Sequence, residues 1–299
     1  MQFKLLVTLF IVASLYSKSI EIITTNDLHG NIAPQKAWFM NPSFPPEILG
    51  GAGLTKYIND SRNMSDSEIF VFDAGNFFQG HPFGMADGGS QVISWMNRAG
   101  YTALVPGVND FILGSENLNR LANEANFPFL ISNIKCNKCN LESDNIKPYI
   151  IKEIDGIKVG ILGIINTAIP DLTAQVNIKG IEFENSIKSL EKWVSVLKNK
   201  NVDSIIVLTS SGIPWDREEE YDELDRKVNQ NLIDPYNTDF NALGLGRFAD
   251  DIDIIISGGV SRGYNLPWYD PYTHVYIFQN YGNGTGFGHF EMLFDKKTN

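Results

Sequence analysis

The segment NDLHG places an aspartate and a histidine two residues apart, with Asp27 and His29 following a short apolar run rich in isoleucine. If that run is a strand, the carboxylate and the imidazole leave it on the same side. Oxygen and nitrogen donors paired in this way suit a first-row divalent metal such as manganese, iron or zinc. Taken alone the pair is a weak signal, because an aspartate after a strand often only caps the following turn.

Similar clusters of polar residues and glycine end several other strand-like runs. In open α/β sheets, ligands bind outside the carboxyl ends of the strands, so we expect these clusters to converge on one site. Asp73, Asn76 and Asp110 are then weaker metal-ligand candidates. Asp73 can instead bond backbone amides at a strand end, and Asp110 can cap the turn before SENLNR. The clusters are Asn26–Gly30, Asp73–Asn76, Gly107–Asp110, Ser210–Gly212 and Gly258–Arg262.

Strand-like and helix-like stretches alternate along the chain, which predicts a layered α/β architecture. Two apolar runs flank Asp155-Gly156, a strong hairpin signal. The last two runs, THVYIFQNYG and FGHFEMLFD, are expected to form an antiparallel pair. The glycine-rich GNGTGFG between them is expected to be a hairpin loop rather than a phosphate loop, since it does not open a helix. The charge run REEEYDELDRKVNQN is expected to be a solvated helix or a lid.

Composition narrows the class of protein. Of 299 residues, 43% are hydrophobic and 20% are charged, which is typical of a globular chain. The formal net charge of -11 argues against a nucleic-acid partner, because binding to phosphate backbones needs a basic surface.

The amino terminus reads as a secretory leader. One lysine precedes an apolar run too short to span a bilayer, and small residues follow it. We expect residues 1–19 to be a signal peptide, the mature chain to begin near Ile20 without a membrane span or lipid anchor, and the protein to be exported to the periplasm or outside the cell. In that compartment Cys136 and Cys139 are expected to form a short-range disulfide, ahead of a redox motif or half of a zinc site.

The ordered motifs resemble the secreted 5'-nucleotidase and UDP-sugar hydrolase family, which belongs to the calcineurin-like metallophosphoesterases. The resemblance covers nearly all of residues 20–296. It implies an α/β fold, a four-layer α-β-β-α sandwich, whose strand ends hold two metal ions about 3.5–4 Å apart that clamp a phosphoryl group and activate water. The motifs are IEIITTNDLHGNI, GGAGLTKYI, FDAGNFFQG, VPGVNDFILG, FLISNI, GIKVGILGI, VLTSSGIPWD and IDIIISGG.

The site residues that this resemblance implies are mostly substituted. Of seven expected metal ligands, only Asp27 and His29 are present. Asn109 stands where the family has its catalytic histidine. The chain has four histidines, at positions 29, 81, 274 and 289, so none can replace the missing ligands by a small realignment. The substituted ligand positions are Asn76, which stands for the bridging aspartate, and Val108, Ser210, Val260 and Arg262.

These substitutions lead us to expect an exported pseudoenzyme with a residual binding role for a nucleotide or another phosphate ester. Arg262 could pair with Asp27 or hold an anion. The alternative is an active phosphoesterase or nucleotidase with a non-standard metal site, so whether the chain is an enzyme, and whether it binds manganese, zinc, iron or no metal, stays open. We expect residues 20–299 to be one metallophosphoesterase-like domain without the family's C-terminal nucleotide-binding domain.

A third alternative is a pure interaction protein. Its binding face would be the aromatic residues of PWYDPYTHVYIFQNYG, namely Trp268, Tyr269, Tyr272 and Tyr276.

Overall fold

A computed structural model describes residues 18–38, 40–65 and 67–294, and its secondary structure alternates strands and helices as predicted. In the described ranges the strands are β1 (Lys18–Thr25), β2 (Gln35–Lys36), β3 (Glu47–Ile48), β4 (Ile69–Asp73), β5 (Ala103–Leu104), β6 (Phe129–Leu130), β7 (Ile134–Cys136), β8 (Ile146–Lys147), β9 (Tyr149–Ile154), β10 (Ile157–Ile164), β11 (Ile181–Phe183), β12 (Ser204–Thr209), β13 (Ile254–Ser257), β14 (Trp268–Tyr269), β15 (Tyr276–Gln279) and β16 (Gly288–Phe294). The α-helices are α1 (Gly50–Met64), α2 (Pro82–Met85), α3 (Ser90–Ala99), α4 (Gly114–Glu124), α5 (Ile169–Leu172), α6 (Ser186–Lys198), α7 (Arg217–Asn229) and α8 (Ala242–Arg247). Two 3-10 turns span Val108–Phe111 and Gln175–Ile178.

Two six-stranded sheets form the centre of the molecule. The first has the strand order β16-β1-β4-β5-β6-β8, and the second has the order β14-β15-β13-β12-β10-β9. The inner strands of each sheet run parallel, and β16 joins β1 antiparallel at one edge. This arrangement places the carboxyl ends of β1, β4, β12 and β13 where loops can converge.

Residue alternation along the strands explains why the sheets stack. In β12, Ile206 and Leu208 pack into the core shared with the first sheet, whereas Ile205 and Val207 pack under α6 and α8. A strand with both faces buried must be apolar throughout, which accounts for the continuous run SIIVL. With α1, α3 and α4 packed on the first sheet, the layers are helix, sheet, sheet and helix, and the predicted fold class is confirmed.

The hairpin prediction is confirmed as well. Strands β9 and β10 pair antiparallel from Ile154↔Ile157 outward, and the two-residue turn between them has Asp155 at φ 51° and Gly156 at φ 79°. Positive φ at both central residues is the backbone of a type I′ turn. The charge run forms α7, and Cys136 and Cys139 form the expected disulfide.

The prediction for the last two strands was wrong. β15 lies in the second sheet, parallel to β13, while β16 lies in the first sheet, antiparallel to β1. They meet face to face, with the rings of Phe278 and Phe290 stacked 4.0 Å apart at an interplanar angle of 8°. The segment GNGTGFG is therefore a crossover between sheets and not a hairpin loop. Alternating apolar residues mark a strand but do not say which sheet it joins.

The predicted signal peptide lies almost entirely outside the described residues. Its last two residues, Lys18 and Ser19, are the first of β1 and pair with Phe294 and Leu293. No helix in the described ranges is long and apolar enough to cross a membrane.

The close approach of the sheets requires glycine at position 163 in β10. A Cβ atom there would lie 2.1 Å from the carbonyl oxygen of Leu130 in the first sheet, and the Gly163 carbonyl accepts a hydrogen bond from Ser132 N at 2.7 Å. At Gly160 of the same strand, a Cβ would meet only the side chain of Leu197, at 2.9 Å.

We predict that Gly163→Ala lowers the free energy of unfolding by about 3 kcal/mol, because backbone must move, whereas Gly160→Ala costs about 1 kcal/mol or less, because a side chain can shift. Urea unfolding of both variants measures the difference. Equal losses for the two variants would contradict the close packing of the sheets at Gly163.

Candidate functional site

The polar loops predicted to converge do meet at the carboxyl ends of the strands. Asp27 N donates to the Gly75 carbonyl at 2.8 Å, which joins the loops after β1 and β4. Gly258 N donates to the Thr209 carbonyl at 2.9 Å, which joins the loops after β13 and β12. Gly259 N then reaches across to the Asp27 carboxylate at 3.0 Å, so the two sheets contribute to one site.

The backbone at this site is held in a conformation that side chains disfavour. Asp27, His29 and Asn76 have φ values of 48°, 49° and 58°, in the left-handed region. Such conformations persist only where surrounding contacts determine them, and they are frequent at functional sites. Glycine at positions 75 and 107 lets the backbones of the loops after β4 and β5 approach closely. A Cβ atom on Gly75 would lie 2.6 Å from Gly107 N.

Asp27 is the centre of the site and is fully buried. Its Oδ1 accepts from Asn76 Nδ2 at 2.7 Å, and its Oδ2 accepts from Asn26 Nδ2 at 2.9 Å. Gly259 N lies 3.0 Å from both oxygens. A buried carboxylate without a counter-ion needs such donors, and here protein N–H groups supply them on both oxygens.

The orientation of the Asn76 amide follows from its partners. Its Oδ1 accepts from Asn109 N at 2.9 Å, and a backbone N–H can only donate. The amide nitrogen must therefore face Asp27, so position 76 presents an N–H donor where the resemblance implies the oxygen of a bridging carboxylate. The backbone N–H of Asn109 thus stabilises the Asn76–Asp27 hydrogen bond, although its own side chain does not enter this network.

His29 keeps the arrangement of a metal-binding histidine. Its Nδ1 lies 2.9 Å from the Gln79 carbonyl, which can only accept, so Nδ1 carries the hydrogen and Nε2 of the neutral ring carries the lone pair. That Nε2 lies 3.3 Å from Ser261 Oγ and 4.0 Å from Asp27 Oδ1. The sequence-predicted pair is thus brought together, and Nε2 of His29 is hydrogen-bonded to the Ser261 hydroxyl.

Asp73 and Asp110 fix the loops after β4 and β5 through hydrogen bonds to backbone amides. Asp73 accepts from Thr25 Oγ1 at 2.6 Å and from Gly75 N at 2.9 Å. Asp110 accepts from three backbone amides: Asn76 N at 2.7 Å, Gly107 N at 2.8 Å and Phe77 N at 3.0 Å. These are the contacts of strand-end and turn residues, as the simpler interpretation of the sequence expects.

The remaining substituted positions carry structural contacts. Ser210 Oγ accepts from Asn166 N at 3.0 Å, and Val260 packs close to Gly212. Val108 opens the 3-10 turn after Gly107. Arg262 forms no ion pair with Asp27 within the described part of the chain, so that alternative is not found. Its guanidinium instead lies over the ring of Trp215, 4.8 Å from the centroid.

The donor set does not fit a two-metal centre. Two dications in one site need several anionic or imidazole ligands, commonly with a carboxylate between them. In the ranges that the structure describes, no three His, Cys, Asp or Glu side chains are grouped so that they could hold a metal ion. Asp27 and His29 remain as the two side chains suited to one.

Two further residues hold the site together: Asn26, which the sequence placed in the first polar cluster without giving it a role, and Gln279, which the sequence did not single out. Asn26 donates to Asp27 and accepts from Asn280 N at 2.9 Å. Gln279, at the end of β15, donates from Nε2 to the carbonyls of Val260 and Arg262, at 3.1 and 2.7 Å. The pattern of polar residues after an apolar strand also holds for YIFQN, and it would have found Gln279 had β15 been placed beside β13.

Comparison with known proteins gives a consistent result. No family model matches the chain. The sequence is 30% identical to bovine 5'-nucleotidase over 200 residues, which are 66% of this chain and 34% of that protein. It is 27% identical to a snake venom 5'-nucleotidase of Gloydius brevicauda over 291 residues, 95% of this chain and 46% of that protein. The chain thus spans less than half the length of these two curated relatives. The calcineurin-like phosphoesterase YfkN of Bacillus subtilis superposes with a TM-score of 0.73 at 20% identity, covering 94% of this chain and 87% of that one.

Burial gives Asp110 an unusual proton affinity. Burial raises the pKa of Asp110 to about 7, against the opposing effect of its backbone N–H donors, and burial likewise raises the pKa of Asp73 well above its ordinary value. The unfolded value for an aspartate is about 3.9. Between about pH 4 and pH 7 the folded state therefore holds the Asp110 proton that the unfolded state has lost, so the contribution of Asp110 to the free energy of unfolding falls as the pH rises through this window.

We predict that Asp110→Asn has a flatter pH dependence of stability than the wild type, by up to about 1.4 kcal/mol per pH unit within the window. Urea unfolding at pH 5, 6, 7 and 8 measures this slope, and the exposed Asp171→Asn is the control. An unchanged slope in Asp110→Asn would refute the account of this carboxyl.

Proposed function

Because the chain belongs to the 5'-nucleotidase family of metallophosphoesterase-fold proteins, we propose that it is an exported member that has lost two-metal hydrolysis and keeps a binding role. Its ligand would be a nucleotide or another phosphate ester, held at the carboxyl ends of the strands. The activities named for its relatives are those of longer proteins.

One observation carries the proposal: hydrogen bonds from protein N–H groups occupy both oxygens of the Asp27 carboxylate. Asn76 Nδ2 and Gly259 N donate to Oδ1, and Asn26 Nδ2 donates to Oδ2. For a metal to bind Asp27, it would have to displace donors that are themselves fixed by backbone contacts. Losing those hydrogen bonds in a buried site costs free energy, and the site offers few other ligands in return.

The charge balance points the same way. A dinuclear centre brings four positive charges, which a set of carboxylates normally offsets. Here Asp27 is the carboxylate at the centre, while the positions implied by the resemblance hold a neutral amide at 76 and a guanidinium at 262. A permanent cation at position 262 makes the site less favourable for two more.

Two features support export. The disulfide between Cys136 and Cys139 is typical of an oxidising compartment. One relative is a snake venom protein. The signal peptide over residues 1–19 remains a prediction, and both features agree with it.

A second candidate function is a phosphoesterase with a non-standard, single-metal site. The observation that favours it is Nε2 of His29, whose hydrogen-bond partner among the described residues is the hydroxyl of Ser261, at 3.3 Å, and which lies 4.0 Å from Asp27 Oδ1 while Nδ1 is held by a carbonyl. This pair would supply two ligands, and water or substrate would have to supply the rest.

The test combines metal content with turnover. After purification in manganese, we expect well below one metal ion per chain, and no hydrolysis of AMP or bis-p-nitrophenyl phosphate above that of Asp27→Ala. A second arm uses Asn76→Asp, which places two carboxylates side by side. We expect a lower melting temperature without metal and a rise on adding manganese, because the cation offsets the repulsion.

The control for this arm is Asn140→Asp, an exposed position whose melting temperature should not respond to manganese. Two manganese ions per chain, with turnover abolished by Asp27→Ala, would overturn the proposal. One ion per chain with such turnover would establish the single-metal alternative.

A further inference from the structure

Among the described residues, Arg262 differs from the other arginines in that its guanidinium forms no hydrogen bond or ion pair. Arg62 donates to carbonyls, Arg98 donates to Ser94, and four more arginines form ion pairs with neighbouring carboxylates. In the part of the chain that the structure describes, the Arg262 guanidinium makes neither a hydrogen bond nor an ion pair. An unpaired arginine is unexpected in a protein with 35 acidic residues and a net charge of -11.

Aromatic rings hold the guanidinium in place. Its Cζ lies 4.8 Å from the ring centroid of Trp215 and 5.2 Å from that of Tyr264. Stacking on rings orients the flat group and leaves its N–H edge for a ligand. The backbone is fixed too, since Arg262 N donates to the Val260 carbonyl and the Arg262 carbonyl accepts from Gln279 Nε2, both at 2.7 Å.

A second arginine near the same ring serves as an internal comparison. Arg217 lies 4.3 Å from the centroid of Tyr264, but its Nε donates to Glu218 at 2.9 Å. The hydrogen bond from Arg217 is the main reason why the pKa of Glu218 is lowered, and the charge of Arg262 contributes less. Glu218 is thus engaged by Arg217, and the charge of Arg262 is left without a bonded counter-ion.

The position of Arg262 connects it to the site described above. Its neighbour Ser261 places a hydroxyl 3.3 Å from His29 Nε2, and Gly259 donates to Asp27. Trp215 is 63% exposed even with Arg262 over its ring, so a flat molecule can reach its remaining surface. A cation with free donors and an exposed aromatic ring thus lie together, one residue along the chain from Ser261 of the site.

We infer that Arg262 and Trp215 form a binding site for small aromatic oxyanions, in which the guanidinium holds a phosphate or carboxylate group and Trp215 stacks on the attached ring. The inference rests on the proposed function in one respect: the positive charge that holds the anion is that of an arginine and not of a metal. Guanidinium and oxyanion match as a bidentate pair, and prior stacking reduces the entropy lost on binding.

The experiment is calorimetric titration of the protein in EDTA with phenyl phosphate, benzoate, inorganic phosphate and neutral benzyl alcohol. We expect phenyl phosphate to bind more tightly than inorganic phosphate, and benzyl alcohol not to bind. Arg262→Gln should weaken phenyl phosphate at least about tenfold, as expected for a lost charge-assisted contact. Arg262→Lys should fall between, because it keeps the charge without the planar fork. Comparable affinities for benzoate and phenyl phosphate would mean that the site recognises the oxyanion in general, and a preference for phenyl phosphate would assign it to phosphate esters.

Two further variants separate the contribution of ring stacking from that of the positive charge. Trp215→Ala should remove the advantage of phenyl phosphate over inorganic phosphate. Arg247→Gln is the matched control, since Arg247 also stacks on a tyrosine, 3.7 Å from the ring centroid of Tyr272, but is paired with Asp225, and its loss should leave binding unchanged.

Equal affinity for phenyl phosphate in the wild type and Arg262→Gln, or no saturable binding to the wild type, would overturn the inference. Either result is independent of the metal assay. The proposed function fails if the protein takes up metal and turns over substrate. This inference fails if metal-free protein binds phenyl phosphate equally well with and without Arg262.

Discussion

The hydrogen bond from Asn76 Nδ2 to Asp27 Oδ1, at 2.7 Å, is the contact on which the rest of the site depends. It joins the loop after β1 to the loop after β4 at the point where a shared carboxylate would hold two cations apart. A carboxylate at position 76 would repel Asp27 and need a metal between them. An amide there removes the repulsion and makes the buried charge of Asp27 tolerable without any cation.

The surrounding scaffold fixes the geometry of the loops at this site. Asp110 holds three backbone amides of the loops, and Asp73 holds the turn at Gly75. These buried carboxyls stabilise the left-handed backbone at Asn76. The same loops carry His29 beside Ser261 and, next in the chain, Arg262, a set of groups better suited to an anion than to two cations.

Sequence reasoning could predict much of this because it depends on local rules. The polar clusters after apolar strands, the turn at Asp155-Gly156 and the α/β layering follow from residue types and spacing, and Asp27 and His29 do lie together as predicted. What it could not predict depends on contacts distant in the chain. β15 and β16 both look like strands, but it takes their pairing with β13 and β1, distant in the chain, to place them in different sheets, where Phe278 stacks on Phe290. Likewise nothing in the segment GGVSRG reveals that Arg262 lies over Trp215, which is 47 positions away in the sequence.

The most direct test of the central claim is anomalous diffraction from crystals grown with excess manganese. We predict no pair of anomalous peaks beside Asp27, with the Asn76 amide nitrogen still at hydrogen-bonding distance from Asp27 Oδ1. Two peaks about 3.5–4 Å apart, with Asp27 bound to one of them and Asn76 turned to offer its oxygen, would contradict the account.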